Sequence, residues 1–216
     1  MPKDQNKRSK KPLIITIIVV LLIAIGVGAW WFFTQHSEGD GVLDEDADTT
    51  EPIYSNFTGL EIANASLNDN PTYCVQIPNG STDGARPQAG LTEAGVVFEA
   101  IAETGITRFA AIFQNPAVSV IGPIRSLRPY YLDWDTPFDC TIVHDGGSHE
   151  ALQAIASGGQ RDLDENFQYM WRENNSSRFW NNVFTSPSKL LDFNTSMGYT
   201  TSQPKTFPRL KPAEVQ

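Results

Sequence analysis

Three absences stand out in this sequence of 216 residues. It contains two cysteines and none before Cys74, it has no lysine between Lys11 and Lys189, and residues 13–33 include neither a charge nor a proline. The missing early cysteine excludes a lipid-modified N-terminus of the bacterial lipoprotein kind. The missing charges exclude an ordinary surface helix, which would need a polar face.

The uncharged stretch at residues 13–33 predicts a transmembrane helix. About twenty helical residues, each rising about 1.5 Å, cross the ~30 Å hydrocarbon core of a bilayer. The first twelve residues carry five basic side chains and one acid, so the positive-inside rule predicts a cytoplasmic tail at 1–12. A cleaved signal peptide is the alternative, but such peptides have a shorter apolar run and a small-residue cleavage pattern. We therefore expect an uncleaved, single-pass anchor.

An acidic stretch with few apolar residues follows the predicted anchor. Residues 38–51 contain seven acids and no base, and because like charges repel, they predict an extended spacer at 34–54. The formal charge of the chain is −9 and the first twelve residues contribute +4, which leaves −13 for the rest. Residues 55–216 are enough for one extracytoplasmic domain. Without a basic cluster in that domain, no nucleic-acid partner is expected.

Cys74 and Cys140 are the two cysteines of the predicted domain. In an oxidising compartment an even pair favours a disulfide, and both residues lie in predicted strands. The alternative is two separately buried thiols that pack as small apolar groups. The sequence leaves both alternatives open.

The order of strand and helix patterns predicts a domain of mixed α/β class. Residues 72–77 are β-rich and end at a Pro-Asn-Gly turn, which predicts a strand. Residues 96–103 and 106–113 flank a Thr-Gly turn and predict a hairpin, with a helix as the alternative for the first arm. A strand at 140–144 leads through a Gly-Gly turn to Ser148, a good N-cap, and this is the βα junction typical of α/β folds.

The remaining patterns of the domain are weaker. Gly122-Pro123 predicts a break after an apolar stretch at 118–121. Beyond Ser157 the chain is rich in asparagine, arginine and aromatic residues, which predicts a long ordered loop. Short helices are expected at 127–134, 150–156 and 186–193.

All seven basic residues between Pro52 and Pro187 are arginines. Arginine presents a planar fork that grips carboxylates and phosphates, whereas a surface kept only for solubility usually includes lysine as well. The alternative is that the arginines form structural ion pairs, and we expect this for Arg108 beside Glu99 or Glu103. The seven are Arg86, Arg108, Arg125, Arg128, Arg161, Arg172 and Arg178.

Two segments together predict a binding site for an anionic ligand. Arg125 and Arg128 lie at a predicted helix start, where residues three apart share a face, and two tyrosines follow. The turn after His144 offers backbone N–H groups at a helix N-terminus, at the end of the sheet where open α/β folds bind ligands. If the two segments meet, the predicted ligand-binding residues are Arg125, Arg128, Tyr130, His144, Gly146, Gly147 and Ser148.

Catalysis has weaker support in the sequence. His144 and Asp145 point to different sides of a strand, so they form no dyad, and Ser148 is better explained as a helix cap than as a nucleophile. Glu99 and Glu103 would be about 13 Å apart on a strand, too far for the ~5–9.5 Å between glycosidase carboxylates. Neither a metal site nor a cofactor is predicted, because the histidines lack recognisable ligand spacing.

Four segments, at 86–90, 99–109, 121–131 and 143–148, carry a specific ordered pattern, and together they resemble the YerB-like family of bacterial extracytoplasmic proteins. The resemblance extends over about residues 71–193. It implies a location in the bacterial cell envelope and a domain without an assigned activity, so no catalytic residue is carried over. The matching segments are Arg-Pro-Gln-Ala-Gly at 86–90, residues 99–109, Ile-Gly-Pro-Ile-Arg-Ser-Leu-Arg-Pro-Tyr-Tyr at 121–131 and Val-His-Asp-Gly-Gly-Ser at 143–148.

The sequence also departs from the YerB-like pattern. Family members are often lipoproteins and tend to carry a further C-terminal domain, whereas this chain is expected to use a helix as its anchor and stops at Gln216. Asn181 stands where the family pattern has a histidine, which weakens any mechanism that needs a second histidine. We expect a membrane-anchored binding or accessory domain that recognises an anionic envelope ligand. The alternative is an envelope hydrolase or transferase with His144 in its active site.

Overall fold

The computed structural model describes residues 51–174, 176–178 and 180–207, and residues 23, 25–27, 30 and 31 near the N-terminus. The chain divides into two compact units, Met1–Glu51 and Pro52–Gln216. In the first unit, the described residues between 23 and 31 are helical.

The predicted membrane anchor is largely beyond what the structure describes. The predicted tail at 1–12, most of the span at 13–33 and most of the spacer at 34–54 lie outside the described residues. Within the described part of the chain, no helix is both long and apolar enough to cross a bilayer. The anchor, its orientation, the spacer and the domain bounds at 55–216 therefore stay predictions.

The second unit contains eight strands in its described residues. They are β1 (Thr72–Pro78), β2 (Val96–Glu103), β3 (Ile106–Gln114), β4 (Ile121–Ile124), β5 (Cys140–His144), β6 (Arg161–Asp164), β7 (Trp171–Arg172) and β8 (Val183–Thr185). Five of them form the main sheet in the order β2-β3-β1-β5-β6, in which β1, β5 and β6 are parallel and β3 is antiparallel to β1 and β2. The other three form a small antiparallel sheet in the order β4-β8-β7.

In the described residues of the second unit, three α-helices accompany the two sheets: α1 (Pro129–Asp135), α2 (His149–Gly158) and α3 (Pro187–Ser196). The hydroxyl of Ser148 accepts a hydrogen bond from the backbone N–H of Ala151 at the start of α2. Ser186 does the same for Lys189 at the start of α3. Both serines satisfy an N–H group that the first helical turn leaves without a partner. The predicted starts of these two helices are thereby confirmed.

β1 lies at the centre of the main sheet, and all seven of its residues are buried. Its side chains alternate between two cores. Tyr73, Val75 and Ile77 pack with residues of the small sheet and α3. Cys74 belongs to the second core, which includes residues of α1 and α2. Burial on both faces explains why this strand is a continuous β-rich run in the sequence.

A disulfide joins Cys74 on β1 to Cys140 on β5, with the two Cα atoms 5.7 Å apart. The parallel pairing of the two strands brings the cysteines within reach of each other. Of the two alternatives that the sequence leaves open, the disulfide is the one that forms. It fits an oxidising compartment.

The predicted break at Gly122-Pro123 is wrong, because β4 runs through it. β4 is an edge strand, and its pairing with β8 shifts register between Ile121 and Ile124, so the ladder needs no N–H from the proline. A Cβ atom on Gly122 would lie 2.7 Å from the ring of Phe184. Close packing, rather than a turn, explains this glycine.

The long loop predicted beyond Ser157 is also wrong, since β6, β7 and β8 lie within it. β6 reads Arg-Asp-Leu-Asp and buries only Leu163, because it is the edge strand of the main sheet. β7 and β8 have two and three residues, too few to show a period. The β2-β3 hairpin is confirmed, and its first arm is a strand rather than a helix. The mixed α/β class is confirmed.

Candidate anion-binding site

The two segments that predict an anion site meet at one end of the main sheet. We define this end, at which β1, β5 and β6 finish, as the carboxyl edge. The N–H of Leu127 donates to the carbonyl of Gly146 at 2.8 Å, and the N–H of Ser148 donates to the carbonyl of Leu127 at 3.2 Å. The N–H of Asp145 donates to the carbonyl of Arg125 at 3.2 Å. Backbone hydrogen bonds therefore join the arginine segment to the Gly-Gly turn.

Two more segments reach the carboxyl edge, the loop after β1 and the residues before β8. The buried side chain of Asn181 donates to the carbonyl of Asp83 at 2.7 Å and so joins these two segments. The guanidinium of Arg125 donates to the carbonyl of Trp180 at 3.3 Å. Asn181 thus holds a loop in place.

His144 is fully buried at the end of β5. Its Nε2 lies 2.9 Å from Asp162 Oδ1, and its Nδ1 lies 2.8 Å from the carbonyl of Gly146 and 3.3 Å from Asp164 Oδ1. Burial lowers the pKa of the imidazole, but the hydrogen bonds to the two carboxylates outweigh burial and raise the pKa to about 9. The side chain is a charged imidazolium at neutral pH.

The Gly-Gly turn is held by side chains from the neighbouring strand. The N–H of Gly146 donates to Asp164 Oδ1 at 2.7 Å, so this amide is already occupied. Burial raises the pKa of Asp164, but the hydrogen bond from His144 and that from the Gly146 amide give a net shift below its usual range. Gly146 has φ +67°, a conformation that glycine adopts without steric cost. His144 and Asp164 therefore fix the shape of the turn.

Arg128 and Tyr130 face away from the turn, toward β2. Arg128 forms an ion pair with Glu103, and the hydroxyl of Tyr130 donates to the carbonyl of Ile101 at 2.9 Å. α1 begins only at Pro129, so the premise that Arg125 and Arg128 share a helix face is wrong. Arg125 and Arg128 therefore do not face a common ligand from one side of a helix.

Arg108 is buried and behaves as the sequence analysis expects. Its guanidinium pairs with Glu103 at 3.2 Å and donates to the carbonyl of Ser126. Burial lowers its pKa, and the guanidinium of Arg125 adds to that shift by repulsion. Glu103, rather than Glu99, is the partner. One carboxylate on β2 therefore pairs with both Arg108 and Arg128.

Three further arginines have acidic partners within 4.0 Å. Arg172 pairs with Asp145 at 3.0 Å, and the Asp145 side chain is only 6 % exposed. Burial raises the pKa of this carboxyl group, although Arg172 and Arg125 oppose the shift. The other two pairs are Arg161 with Asp139 and Arg178 with Glu173. Five of the seven arginines are thus used in ion pairs.

Arg86 and Arg125 are the two arginines of this group with no acidic partner among the residues that the structure describes. Arg86 donates to the side-chain and backbone oxygens of Asn79. Arg125 donates to a single backbone carbonyl. Both belong to loops of the carboxyl edge, and both are at least partly exposed. A guanidinium with solvent access and no acid keeps donors for a carboxylate or phosphate.

A polar network around Asn79 was not predicted from the sequence. The Asn79 amide donates to Glu99 Oε1 at 2.9 Å and to the Thr107 hydroxyl at 3.0 Å, and its own oxygen accepts from Arg86 and Gln88. The Pro-Asn-Gly turn signal was visible, but nothing in it shows that the asparagine organises four neighbours. This network fixes the loop that presents Arg86.

The site offers little for catalysis. His144 is inaccessible to a substrate in this conformation, and Glu99 and Glu103 both have hydrogen-bonding partners. In residues 51–207, apart from the two gaps at 175 and 179, no group of three His, Cys, Asp or Glu is arranged to hold a metal ion. The arrangement suits recognition of an anion more than bond cleavage.

The fold and this site define a disulfide-linked α/β domain with arginine-bearing loops at one sheet edge. Residues 57–200 match the family described as protein of unknown function (DUF3048) N-terminal domain, and the chain belongs to this family. The chain is 33% identical over 159 residues to "Putative lipoprotein YerB" of Bacillus subtilis (strain 168), a match that covers 72% of this chain and 47% of that protein. The YerB-like resemblance is thereby confirmed.

The fold is also similar to a solved structure, the crystal structure of YerB protein from Bacillus subtilis. The two share 31% sequence identity with a TM-score of 0.64, over 73% of this chain and 54% of that chain. The chain therefore spans about half the length of the relatives it matches.

Proposed function

We propose that this protein is attached to the bacterial cell membrane on its outer side and binds an anionic group of the cell envelope at the carboxyl edge. The name of the relative from Bacillus subtilis, "Putative lipoprotein YerB", supports membrane attachment. The Cys74–Cys140 disulfide fits an extracytoplasmic domain. In this proposal the helix at 13–33 serves as the anchor, with the N-terminus in the cytoplasm.

One observation carries the binding proposal: Arg125 lies among four joined segments without an acidic partner in the described residues. Arg86 adds a second such guanidinium at the same edge. Of the other predicted site residues, His144, Gly146 and Ser148 hold the turn, whereas Arg128 and Tyr130 contact β2. Arg125 is the proposed ligand contact, and the turn residues position it.

Retention of the full chain on purified bacterial cell walls tests the proposal. Arg125→Gln should lower retention about tenfold or more, because a charge-assisted hydrogen bond to an anion is lost. Lys205→Gln is the matched control, since it removes one positive charge from an exposed residue whose N–H bonds to Pro137, at the opposite end of the sheet. Soluble polyphosphate should compete with the walls, and added salt should weaken retention.

Equal retention of the Arg125→Gln and Lys205→Gln variants would overturn the proposal. Loss of retention in both would point to a general charge effect and would overturn it too. No observation favours the hydrolase or transferase alternative, because it needs an accessible His144.

A further inference from the structure

A cavity of about 230 Å³ lies at the opposite end of the main sheet, which we define as the amino edge. It is many times larger than the space that one water molecule needs. Pro71, Pro116, Pro187 and Leu191 supply apolar walls, and none of the residues that line it carries a charge. This site is separate from the carboxyl edge and plays no part in the proposed anion site.

Tyr73 is the most informative residue of this cavity. The residue is only 4% exposed, because its ring belongs to the core between the two sheets. Its hydroxyl has no hydrogen-bonding partner among the described residues, and the hydroxyl oxygen keeps some contact with solvent. Burial raises the pKa of the phenol to about 12, so the group both donates and accepts. Because Tyr73 lines the cavity, its unpaired hydroxyl is available for a hydrogen bond to a ligand or to water there.

Two further polar groups line the same cavity. The amide nitrogen of Asn70 donates to Asn115 Oδ1 at 2.6 Å, which orients the Asn70 side chain and leaves its own Oδ1 as an acceptor. Asn115 is fixed in turn by donating to the carbonyl of Leu67 at 2.9 Å. Thr200, which carries a hydroxyl, also lines the cavity. The polar groups are thus two hydroxyls and one amide oxygen.

We propose that this cavity binds a neutral sugar ring, with Tyr73 as its buried hydrogen-bonding contact. A charged ligand would find no counter-charge in the lining, and desolvating its charge would be costly. A pyranose combines C–H faces, which suit the proline and leucine walls, with hydroxyls that both donate and accept, which suit Tyr73, Thr200 and Asn70. Ligand sites of this kind pair apolar walls with a few placed polar groups.

Ligand-observed NMR on the full chain tests this inference, with glucose and N-acetylglucosamine as probes. We expect saturation transfer to the ring protons and an affinity about threefold to tenfold weaker in Tyr73→Phe, which removes one hydrogen bond and keeps the ring. Tyr169→Phe is the matched control, because its hydroxyl bonds to Ser196 and lies outside the cavity. Thr200→Trp, at an exposed residue, should fill the cavity and abolish transfer.

Absence of transfer from both sugars would overturn the inference, and so would equal affinity in Tyr73→Phe and Tyr169→Phe. Binding of a proline-rich peptide that Thr200→Trp blocks, with no sugar binding, would assign the cavity to a peptide and would also overturn it. Retention on cell walls tests Arg125 at the carboxyl edge, whereas sugar binding tests the cavity at the amino edge. Either proposal can therefore be overturned without affecting the other.

Discussion

The two edges of the main sheet are held together by different chemistry. At the amino edge, a disulfide joins β1 to β5, and the chain after α3 is tied down where Ser202 and Gln203 bond to Thr72 and Asp139. At the carboxyl edge, loops are joined by side chains and short backbone contacts. The first edge is closed by a covalent bond and by hydrogen bonds from the chain after α3, whereas the second is closed by hydrogen bonds and ion pairs without a covalent link.

The difference also appears in which charges are neutralised. At the amino edge, Arg161 pairs with Asp139. At the carboxyl edge, Arg86 and Arg125 form no ion pair within 4.0 Å among the described residues. An edge that holds unpaired guanidinium groups is suited to an anion, and an edge with an uncharged cavity is suited to a neutral ligand. The two ends of the sheet thus differ both in the bonds that stabilise them and in the kind of ligand that they suit.

The largest expected effect is at the amino edge. Replacing both Cys74 and Cys140 with alanine opens a loop with a sequence separation of 66 residues. The chain-entropy model then predicts a loss of about 4 kcal/mol in the free energy of unfolding. Urea unfolding followed by circular dichroism measures it, with the wild type in reducing agent as the control. A loss below about 1 kcal/mol would contradict a covalently stabilised edge.

The next effect is at the carboxyl edge, where His144→Gln removes the buried imidazolium. The pKa of His144 is about 9 in the folded state against about 6.5 unfolded, so its stabilisation is fully present below pH 6.5 and is lost as the pH rises through 9. We expect a loss of about 3 kcal/mol at pH 6, shrinking toward pH 9 and above. Urea unfolding across this range measures it.

His149→Gln is the control for this change, because His149 is exposed in the first turn of α2. It should leave the free energy of unfolding unchanged within about 0.5 kcal/mol. If His144→Gln lost the same amount at pH 6 and pH 10, the charge on the imidazole would not be what holds the turn.

A substitution of Asp135 should raise the free energy of unfolding, whereas the two changes above should lower it, and the expected change is smaller. It is fully buried, accepts from the Gln76 amide at 2.8 Å, and leaves its own Oδ1 and Gln76 Oε1 without partners among the described residues. A proton on Asp135 would let it donate to Gln76, and burial, only partly opposed by Gln76, raises its pKa to about 8. The folded state therefore keeps a proton that the unfolded state loses above about pH 4, so stability falls as the pH rises toward 8.

Asp135→Asn should consequently stabilise the protein, because an amide supplies the same donor without titrating. We expect a gain on the order of 2 kcal/mol at pH 7, growing from pH 4 to pH 8 and then constant. Urea unfolding at several pH values measures it. If Asp135→Asn lowered the free energy of unfolding at pH 8, Asp135 would be ionised in the folded state and its charge would stabilise the protein.

The features of the fold and of the candidate site that were predictable from the sequence are those whose interacting residues lie close together in the chain. The hairpin, β1, β5 and the two serine caps follow from short-range patterns, and all are confirmed. The partners of His144 lie on β6, whose Arg-Asp-Leu-Asp sequence has no strand pattern because only Leu163 faces the core. The pairing of Arg108 with Glu103 follows from the hairpin and was one of two expected partners, whereas the pairing of Arg128 with the same carboxylate required the fold. Short-range patterns predict elements, but the charge balance of a site depends on distant residues.

The smallest effects distinguish a paired arginine from an unpaired one. Arg172→Gln leaves the nearly buried Asp145 without its ion partner and should lower the free energy of unfolding by about 1 kcal/mol. Arg125→Gln removes no ion pair and should change it by less than about 0.5 kcal/mol, while abolishing most wall retention. Urea unfolding measures both, and adding Asp145→Asn to Arg172→Gln should recover most of the loss, because the buried charge is gone. If Arg125→Gln destabilised the protein as much as Arg172→Gln, Arg125 would be a structural residue, and the carboxyl edge would be closed by charge as firmly as the amino edge is by its disulfide.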